Sequence, residues 1–253
     1  MKGKIKAAIA VCTLAAVAVG VSVPIAASKG LLSSGNDEKY SVGATAVRTD
    51  SPIKGKTIIF LGSSVTFGSA SKGESFADYL AKVDGVNAMK YAVSGTTLAD
   101  TSEDSYISRM KNIDTSVHAD AFVCQLSTND ATKKIPLGEI SDSREPDAFD
   151  TQTVAGSIEY VICYAQRVWK CPVIFYTGTR YDSQEYADMV ALLGEIQKKW
   201  DIGIIDLWNN EQMNAVGKSD YRLYMANSIH PTRAGYRDWW LPVFEEYLYG
   251  HLA

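Results

Sequence analysis

Five short apolar runs, each followed by a stretch with helical spacing, constrain the fold of this 253-residue chain more than any other feature. The runs are rich in β-branched residues, which is typical of buried strands. In chain order they are "KTIIFLG", "MKYAVSG", "AFVCQLS", "CPVIFYTG" and "IGIIDLW". Strands that alternate with helices are joined by right-handed crossovers into a parallel sheet with helices on both faces. The pattern therefore predicts an α/β fold, a three-layer α/β/α sandwich with a parallel five-stranded sheet.

The stretches between these runs predict the helices. "ESFADYLAKV" follows the first strand and "SYISRMKNI" follows the second. The 3.6-residue spacing predicts longer helices at about 154–169, 184–200 and 232–248. In parallel sheets of this kind, ligands bind beyond the carboxyl ends of the strands. The residues that directly follow each strand are therefore the candidates for a functional site.

Residues 1–28 differ in composition from the rest of the chain. Three lysines in the first six residues precede an apolar run, Ala7–Ser28, that contains no charged residue. Its length fits a membrane-spanning helix, and the small residues near its end suit cleavage by a signal peptidase. A cleaved signal peptide and an N-terminal membrane anchor both remain open. In either case we predict an extracytoplasmic protein, secreted or held at the outer face of the cytoplasmic membrane, which meets the membrane only through this segment.

The next region, residues 29–53, is rich in serine, glycine, asparagine, aspartate and lysine and predicts a flexible linker. Residues 54–253 form the predicted folded domain. The formal net charge is −4 with no basic stripe, which argues against nucleic acid as a partner. The sequence contains no CxxC motif and no Cys/His cluster, so we expect no metal site.

Small or polar residues follow the strands at four places. "GSSVTFG" follows the first strand and places Ser64 in a tight turn, "SGTT" follows the second with Gly95, and "STND" follows the third with Asn129. "NSIHPTRAGY", before the last predicted helix, contains His230. Each motif alone is at least as typical of a helix cap or a turn. Together they place a hydroxyl, backbone and amide N–H donors, and an imidazole base at one edge of the sheet, which favours acyl-transfer chemistry.

In this order and spacing the motifs resemble the SGNH (GDSL-type) hydrolase superfamily over about residues 55–248. "FLGSSVTFG" is similar to the first block of that family, with Ser64 in the place of the nucleophile and Ser63 where aspartate is usual. "AVSGTT" is similar to the second block, with Gly95 as its glycine. The resemblance implies the α/β/α fold already predicted from the strand pattern, and it implies ester hydrolysis.

The remaining two blocks carry the resemblance to the end of the chain. "LSTND" is similar to the third block with Asn129, although Ser127 stands where glycine is common, and "NSIHPTRAGY" is similar to the last block with His230 as the base. The resemblance implies that His230 activates Ser64. It also implies an oxyanion hole formed by the Ser64 and Gly95 N–H groups and the Asn129 side chain. It implies no cofactor.

One position departs from the family pattern. Asn227 stands where an aspartate usually orients the histidine, and we assign it to the catalytic set with Ser64 and His230. An asparagine oxygen can accept the Nδ1–H bond, but it carries no charge, and its amide group could face the ring instead. Asp206, after the fifth strand, and Asp220, in the loop before the histidine, are alternative acids.

Two classes of function follow from the sequence. The first is an exported serine esterase that hydrolyses acyl esters, with short-chain, carbohydrate-linked esters as the expected substrates and a lipid or lysophospholipid esterase as the alternative. The second is a non-catalytic glycan-binding descendant, because Asn227 replaces the usual aspartate. Retention of Ser64, Gly95, Asn129 and His230 favours the enzyme, since a pure binding module needs no such set.

Overall fold

A parallel five-stranded sheet forms the centre of the molecule, in a computed structural model that describes residues 30–253. The strand order is β2-β1-β3-β4-β5. The strands are β1 (Thr57–Gly62), β2 (Asn87–Ala92), β3 (Ala121–Gln125), β4 (Val173–Tyr176) and β5 (Gly203–Ile205). All four neighbouring pairs are parallel. The predicted three-layer α/β/α sandwich is confirmed.

Helices follow the strands in the predicted alternation. They are α1 (Ser64–Phe67), α2 (Phe76–Asp84), α3 (Tyr106–Met110), α4 (Thr128–Thr132), α5 (Val154–Val168), α6 (Gln184–Trp200), α7 (Glu211–Asn214), α8 (Lys218–Tyr224) and α9 (Leu241–Leu252). Short 3₁₀ turns lie at Ser34–Asn36, Glu38–Tyr40 and Pro146–Ala148. Helices α5 and α6 agree with the sequence prediction to within one residue, whereas α7 and α8 lie in a stretch for which no helix was predicted.

Both faces of the sheet are buried, which explains the continuous apolar runs. Side chains alternate between the faces of a strand. In β1, Ile59 and Leu61 therefore point to the layer formed by α3, α5 and α6. Ile58 and Phe60 point to the opposite layer, formed by α2 and α9. Because each face has its own apolar cluster, neither side of the strand can be polar.

The predicted last helix is divided into two parts. Residues Gly235–Trp240 form a π-helical segment, and α9 then begins at Leu241. Pro242 lies in the first turn of α9, where its missing N–H and its ring prevent a regular bond to the preceding turn. The wider π turn directly precedes the turn that contains the proline.

The predicted flexible linker is wrong for most of its described part. Within the segment 30–53, Asn36, Ser41 and Ile53 are buried against the domain. Asn36 alone hydrogen-bonds three backbone groups, so the segment is part of the folded unit. The predicted signal peptide or anchor at residues 1–28 lies outside the described residues. Among helices of the described part, none is both long enough and apolar enough to cross a membrane.

Candidate active site

The strand order creates a crevice at the carboxyl edge of the sheet. The chain passes from β1 outward to β2 and then returns to the other side of β1 to form β3. Such a reversal separates the loops above the neighbouring strands and is the usual ligand site of open α/β sheets. Ser64 follows β1, Gly95 follows β2 and Asn129 follows β3. The structure therefore brings these three predicted residues to one edge of the sheet.

A tight turn presents Ser64 at the end of β1. A Cβ atom on Gly62 would lie 1.7 Å from Thr66 Oγ1, so only glycine allows the chain to turn this closely. The side chain of Gln125, at the end of β3, fixes the turn from below. Its Oε1 accepts hydrogen bonds from Ser63 N at 3.0 Å and from Thr66 Oγ1 at 2.9 Å. Gln125 is buried, so these bonds hold the serine turn rigidly to the neighbouring strand.

Ser64, His230 and Asn227 form a continuous hydrogen-bonded chain. His230 Nε2 lies 2.8 Å from Ser64 Oγ, although 166 residues separate the two in sequence. On the other side of the ring, His230 Nδ1 lies 3.0 Å from Asn227 Oδ1. Each ring nitrogen therefore has one partner, and the partner at Nε2 is the predicted nucleophile. This is the geometry that a general base needs to take a proton from a serine hydroxyl.

The loop that carries His230 also fixes the orientation of Asn227. Asn227 Oδ1 accepts hydrogen bonds from the backbone N–H groups of Ile229 and His230, both at 2.9 Å. These donors need an oxygen and not an NH₂ group, so the amide cannot rotate to present its N–H to the ring. Oδ1 therefore receives the Nδ1–H of the histidine. The tautomer that results leaves Nε2 free to accept the proton of Ser64.

The alternative acids lie elsewhere. The carboxylate of Asp206 is bonded to Thr177 Oγ1 at 3.2 Å and to the backbone and side chain of Asn209. Asp220 is exposed in the first turn of α8. Among the described side chains, the hydrogen-bond partners of the His230 ring are Ser64 and Asn227. Neither aspartate thus takes the place of the usual acid.

Burial lowers the pKa of His230 below its ordinary value. Removing the ring from water disfavours the charged imidazolium, and an asparagine neighbour provides no compensating negative charge. The neutral ring therefore persists into mildly acidic conditions. A neutral histidine is the form that can accept a proton from Ser64.

The loop after β2 and the start of α4 after β3 supply the candidate oxyanion donors. Gly95 has φ +86°, a conformation that residues with a side chain adopt at a cost, and its surroundings leave room for a Cβ. Asn129 Nδ2 donates to Thr96 O at 2.8 Å, which uses one of its two amide hydrogens and leaves the other. Asp130 accepts from the N–H groups of Leu98 and Ala99 at 2.8 and 2.9 Å. The Asn129–Asp130 pair thus fixes the glycine loop from the β3 side.

Arg109 connects the two strand ends to the same loop. Its guanidinium donates to Tyr91 O and Gly62 O, both at 2.8 Å, and to Thr96 Oγ1 at 3.1 Å. It therefore ties the end of β1, one residue before the serine turn, to the end of β2 and to the residue after Gly95. Burial lowers the pKa of Arg109, although the group stays charged at neutral pH.

Two aromatic residues near the ends of β4 and β5 do not form a sugar-binding surface. Tyr176, the last residue of β4, and Trp208, which follows β5, are buried in the core and are not available to stack on a sugar. Tyr176 donates or accepts a hydrogen bond with Thr66 Oγ1 at 2.6 Å beneath the serine turn.

Over residues 30–253, no three histidine, cysteine or carboxylate side chains lie close enough together to hold a metal ion.

Comparison with known proteins agrees with the fold and the motifs. The sequence matches the model of the GDSL-like lipase/acylhydrolase family over residues 60–237, so the chain belongs to this family. The resemblance to the SGNH (GDSL-type) superfamily is therefore confirmed, and the coarse function is that of a lipase- or esterase-type hydrolase family. No curated protein sequence matches the chain.

Solved structures show the same fold at low sequence identity. A protein from Lactobacillus plantarum has 20% identity and a TM-score of 0.67 over 79% of this chain and 99% of its own. A member of the lipolytic protein G-D-S-L family from Veillonella parvula has 19% identity and a TM-score of 0.53, covering 75% and 95%. The acetyl xylan esterase AlAXEase has 14% identity and a TM-score of 0.52, covering 75% and 97%. At these identities the likeness establishes the fold alone.

Three residues that support the site were not predicted from the sequence, namely Gln125, Arg109 and Asp130. Gln125 belongs to the apolar run of β3 and has no motif of its own. Arg109 occurs in a short amphipathic helix, where arginine is usually a surface residue. Asp130 is the last letter of "STND", and that motif was the only available signal. Each of the three bonds at least one backbone group that is more than 30 residues away, which spacing alone does not reveal.

Proposed function

We propose that this protein is an exported serine esterase that hydrolyses short-chain acyl esters of carbohydrates. The observation that carries the proposal is the hydrogen-bonded chain at the carboxyl edge of the sheet. Ser64 Oγ lies 2.8 Å from His230 Nε2, and Asn227 Oδ1 lies 3.0 Å from the opposite ring nitrogen. Membership of the GDSL-like lipase/acylhydrolase family supports the same chemistry.

The reaction proceeds in two halves. His230 takes the proton of Ser64 as the serine oxygen attacks the acyl carbonyl carbon, and the tetrahedral oxyanion is stabilised by the N–H groups of Ser64 and Gly95 and by the free amide hydrogen of Asn129. His230 then gives the proton to the departing alcohol, which leaves an acyl-serine. Water attacks the acyl-serine with His230 again as the base, and the carboxylic acid and Ser64 are released. The chain's own residues supply every proton transfer, so the mechanism needs no cofactor.

The orientation of Asn227 supports catalysis over a binding-only role. Two backbone N–H groups hold the Asn227 oxygen, which is also a common turn motif, but the oxygen in addition faces Nδ1 and sets the tautomer that a general base needs and that binding alone does not. What the asparagine lacks, compared with aspartate, is the charge that stabilises imidazolium. We therefore expect a slow but active esterase.

The surface around Ser64 supports a small acyl group on a large polar alcohol. The loops that carry Gly95 and His230 present exposed residues that are small or polar, among them Ser94, Gly95, Asn227 and Ser228. Two of the larger cavities of the described residues, of about 410 and 490 Å³, are lined by other parts of the chain. An open polar rim suits a polysaccharide, whereas a long acyl chain needs an apolar channel.

A lipid or lysophospholipid ester is the second candidate because apolar side chains lie near the same rim. Val93 and Phe67 are 41% and 43% exposed, and they lie two residues before Gly95 and three residues after Ser64. Isolated exposed apolar residues are common on protein surfaces, so this observation weighs less than the polar rim.

A panel of substrates tests the proposal. Purified protein is assayed with aryl acetate, aryl butyrate, aryl palmitate and acetylated xylo-oligosaccharides, with Ser64→Ala as the inactive control. We expect release of acetate, a strong preference for short acyl groups, and labelling of Ser64 by a fluorophosphonate. Ser63→Ala should keep the labelling, since Ser63 N and not its hydroxyl makes the short bond to Gln125. A preference for palmitate would support the lipid esterase. Absence of labelling at Ser64 would exclude the proposed serine esterase.

Export is proposed on the composition of residues 1–28 and is tested separately. Cell fractionation with an antibody to the folded domain should find the protein outside the cytoplasm, attached to the membrane or released. A soluble cytoplasmic protein that retains Met1 would contradict the proposal.

A further inference from the structure

The first described segment of the chain, Gly30–Ser41, lies outside the span that the family model matches, which begins at residue 60. It nevertheless packs against the loop that follows Ser64 and against the loop that carries His230. The two reacting groups come from opposite ends of the domain sequence, and a hydrogen bond of 2.8 Å between them needs both loops in register. A segment that touches both loops is therefore in a position to set that register.

Asn36 makes the connection through a single buried side chain. Its exposed fraction is 2%. Its Nδ2 donates to Ala70 O at 2.7 Å, in the loop six residues after Ser64. Its Oδ1 accepts from Arg233 N at 3.0 Å, three residues after His230. The side chain thus spans the gap between the nucleophile loop and the histidine loop.

The backbone of the segment Gly30–Ser41 lies in close contact with α8 and with the loop that carries His230. A Cβ atom on Gly35 would lie 1.9 Å from Leu223 O and 2.4 Å from Thr232 Oγ1. A Cβ atom on Gly30 would lie 2.2 Å from the Cβ of Ala226, the residue before Asn227. The segment therefore approaches α8 and the loop after it at two glycines, with no space for a larger residue at either.

Charged groups reinforce the same junction. Arg233 is 7% exposed, and its guanidinium donates to Glu74 Oε1 at 2.7 Å and to Glu38 Oε2 at 3.2 Å. Glu74 follows the nucleophile loop, and Glu38 belongs to the N-terminal segment. Glu74 is largely shielded from water whereas Glu38 is exposed, so the pair with Glu74 is the one that holds its geometry firmly.

We propose that Asn36 is a positioning residue for catalysis, which holds the Ser64 loop and the His230 loop in register from a segment outside the matched domain. The inference rests on the proposed esterase function. Asn36 does not touch the reacting atoms. It acts through Ala70 and Arg233, so its loss loosens the contact between Ser64 and His230 and leaves substrate binding intact.

The test compares two buried hydrogen-bonding side chains that precede β1, Asn36 in the segment Gly30–Ser41 and Ser51 after it. Asn36→Ala removes the hydrogen bonds to Ala70 O and from Arg233 N. Ser51→Ala removes a buried bond of 2.8 Å to Asp84 Oδ1, at the end of α2 and on the opposite edge of the sheet from Ser64. Both variants are assayed well below their midpoints of thermal unfolding, which circular dichroism measures. Asn36→Asp, which keeps the acceptor for Arg233 N and loses the donor to Ala70 O, is a second variant of similar shape.

We expect Asn36→Ala to lower kcat and the rate of fluorophosphonate labelling by about 10²-fold with little change in KM, the scale of a displacement of about 1 Å between reacting groups. Asn36→Asp should lose activity in the same direction. Ser51→Ala should lose a similar amount of thermal stability and keep its kcat. Wild-type kcat in Asn36→Ala, or an equal loss in Ser51→Ala, would overturn the inference.

Hydrogen exchange separates this inference from the proposed function. Asn36→Ala should speed amide exchange both in residues 64–71 and in residues 226–236, and Ser51→Ala in neither. If the wild-type protein does not react with ester or fluorophosphonate, the proposed function fails and exchange in the two loops decides the inference alone. Faster exchange confined to one loop would contradict a connection between them.

Discussion

Replacing Asn227 by aspartate should make this protein a faster enzyme. The substitution keeps the shape of the side chain and keeps an oxygen for the Nδ1–H of His230 and for the two backbone N–H groups that now orient it. It adds one negative charge beside the ring. In chymotrypsin-like serine proteases the reverse exchange costs about 10⁴ in turnover because asparagine leaves the histidine in the wrong tautomer. Here the tautomer is already productive, so only the charge is gained.

The size of the gain follows from the distance and the exposure. The ring nitrogen and the oxygen are 3.0 Å apart, which places the centre of an imidazolium charge about 4 Å from the new carboxylate. At that distance the attraction is about 1 kcal/mol in bulk water and about 4 kcal/mol at an effective dielectric constant of about 20. Asn227 is exposed and His230 is partly buried, so about 1–2 kcal/mol is the appropriate range. This corresponds to an increase in kcat of about 5- to 30-fold.

The measurement is kcat/KM against pH on one aryl acetate for the wild type, Asn227→Asp and Asp220→Asn. The carboxylate should also raise the pKa of His230, which moves the acid limb of the profile upward by about one pH unit. Asp220→Asn should match the wild type, since Asp220 makes no bond to the ring. An unchanged rate and acid limb in Asn227→Asp would refute the orientation of the ring. A large loss in Asp220→Asn would identify that residue as the working acid.

Three further predictions concern the other residues of the site. Asn129→Ala should lower kcat by about 10²–10³ with little change in KM, as loss of one oxyanion donor does, and steady-state kinetics in which only KM rises would assign it to substrate binding. Arg109→Lys should lower kcat by about tenfold, equal to about 1.4 kcal/mol, because lysine cannot donate to Gly62 O and Tyr91 O at the same time. Full activity at an unchanged midpoint of thermal unfolding would contradict a role of Arg109 in positioning the two strand ends. The acid limb of the wild-type profile of kcat/KM should have its midpoint below about pH 6.5, because burial lowers the pKa of His230 and only the neutral ring accepts a proton. A midpoint above that value would mean that another group controls the limb.

The fold was predictable from the sequence because both faces of the sheet are buried. Burial on both faces makes each strand a continuous apolar run. Alternation of these runs with amphipathic helices favours a parallel sheet with right-handed crossovers. The positions of Ser64, Gly95 and Asn129 after strands followed from the same pattern, whereas His230 was located by its motif before the last helix. The break before α9 was not predicted, since the apolar spacing continues through Gly235–Trp240 and only Pro242 marks the change.

The supporting residues could not be predicted, for a physical reason. Asn36 lies in a stretch whose composition is typical of a linker, and its buried partners Ala70 and Arg233 are 34 and 197 residues later in the chain. Gln125 reads as part of a strand, although its side chain holds the serine turn. Sequence patterns report local preference and burial. Hydrogen bonds between distant loops depend on the assembled fold, which is why they appear only in the structure.

The contact between Gly30 and Ala226 also determines how the domain is attached to whatever precedes it. Residue 30 abuts the loop of His230, so the chain enters the folded unit at the catalytic edge of the sheet and not at a distance from it. If residues 1–29 stay in a membrane, the catalytic edge is held close to that membrane. The enzyme then reaches only esters displayed on the same surface. If they are removed, the new terminus and its positive charge lie beside the active-site rim. Lengthening the chain between residues 29 and 30 should extend the range of substrates that a membrane-attached enzyme can reach.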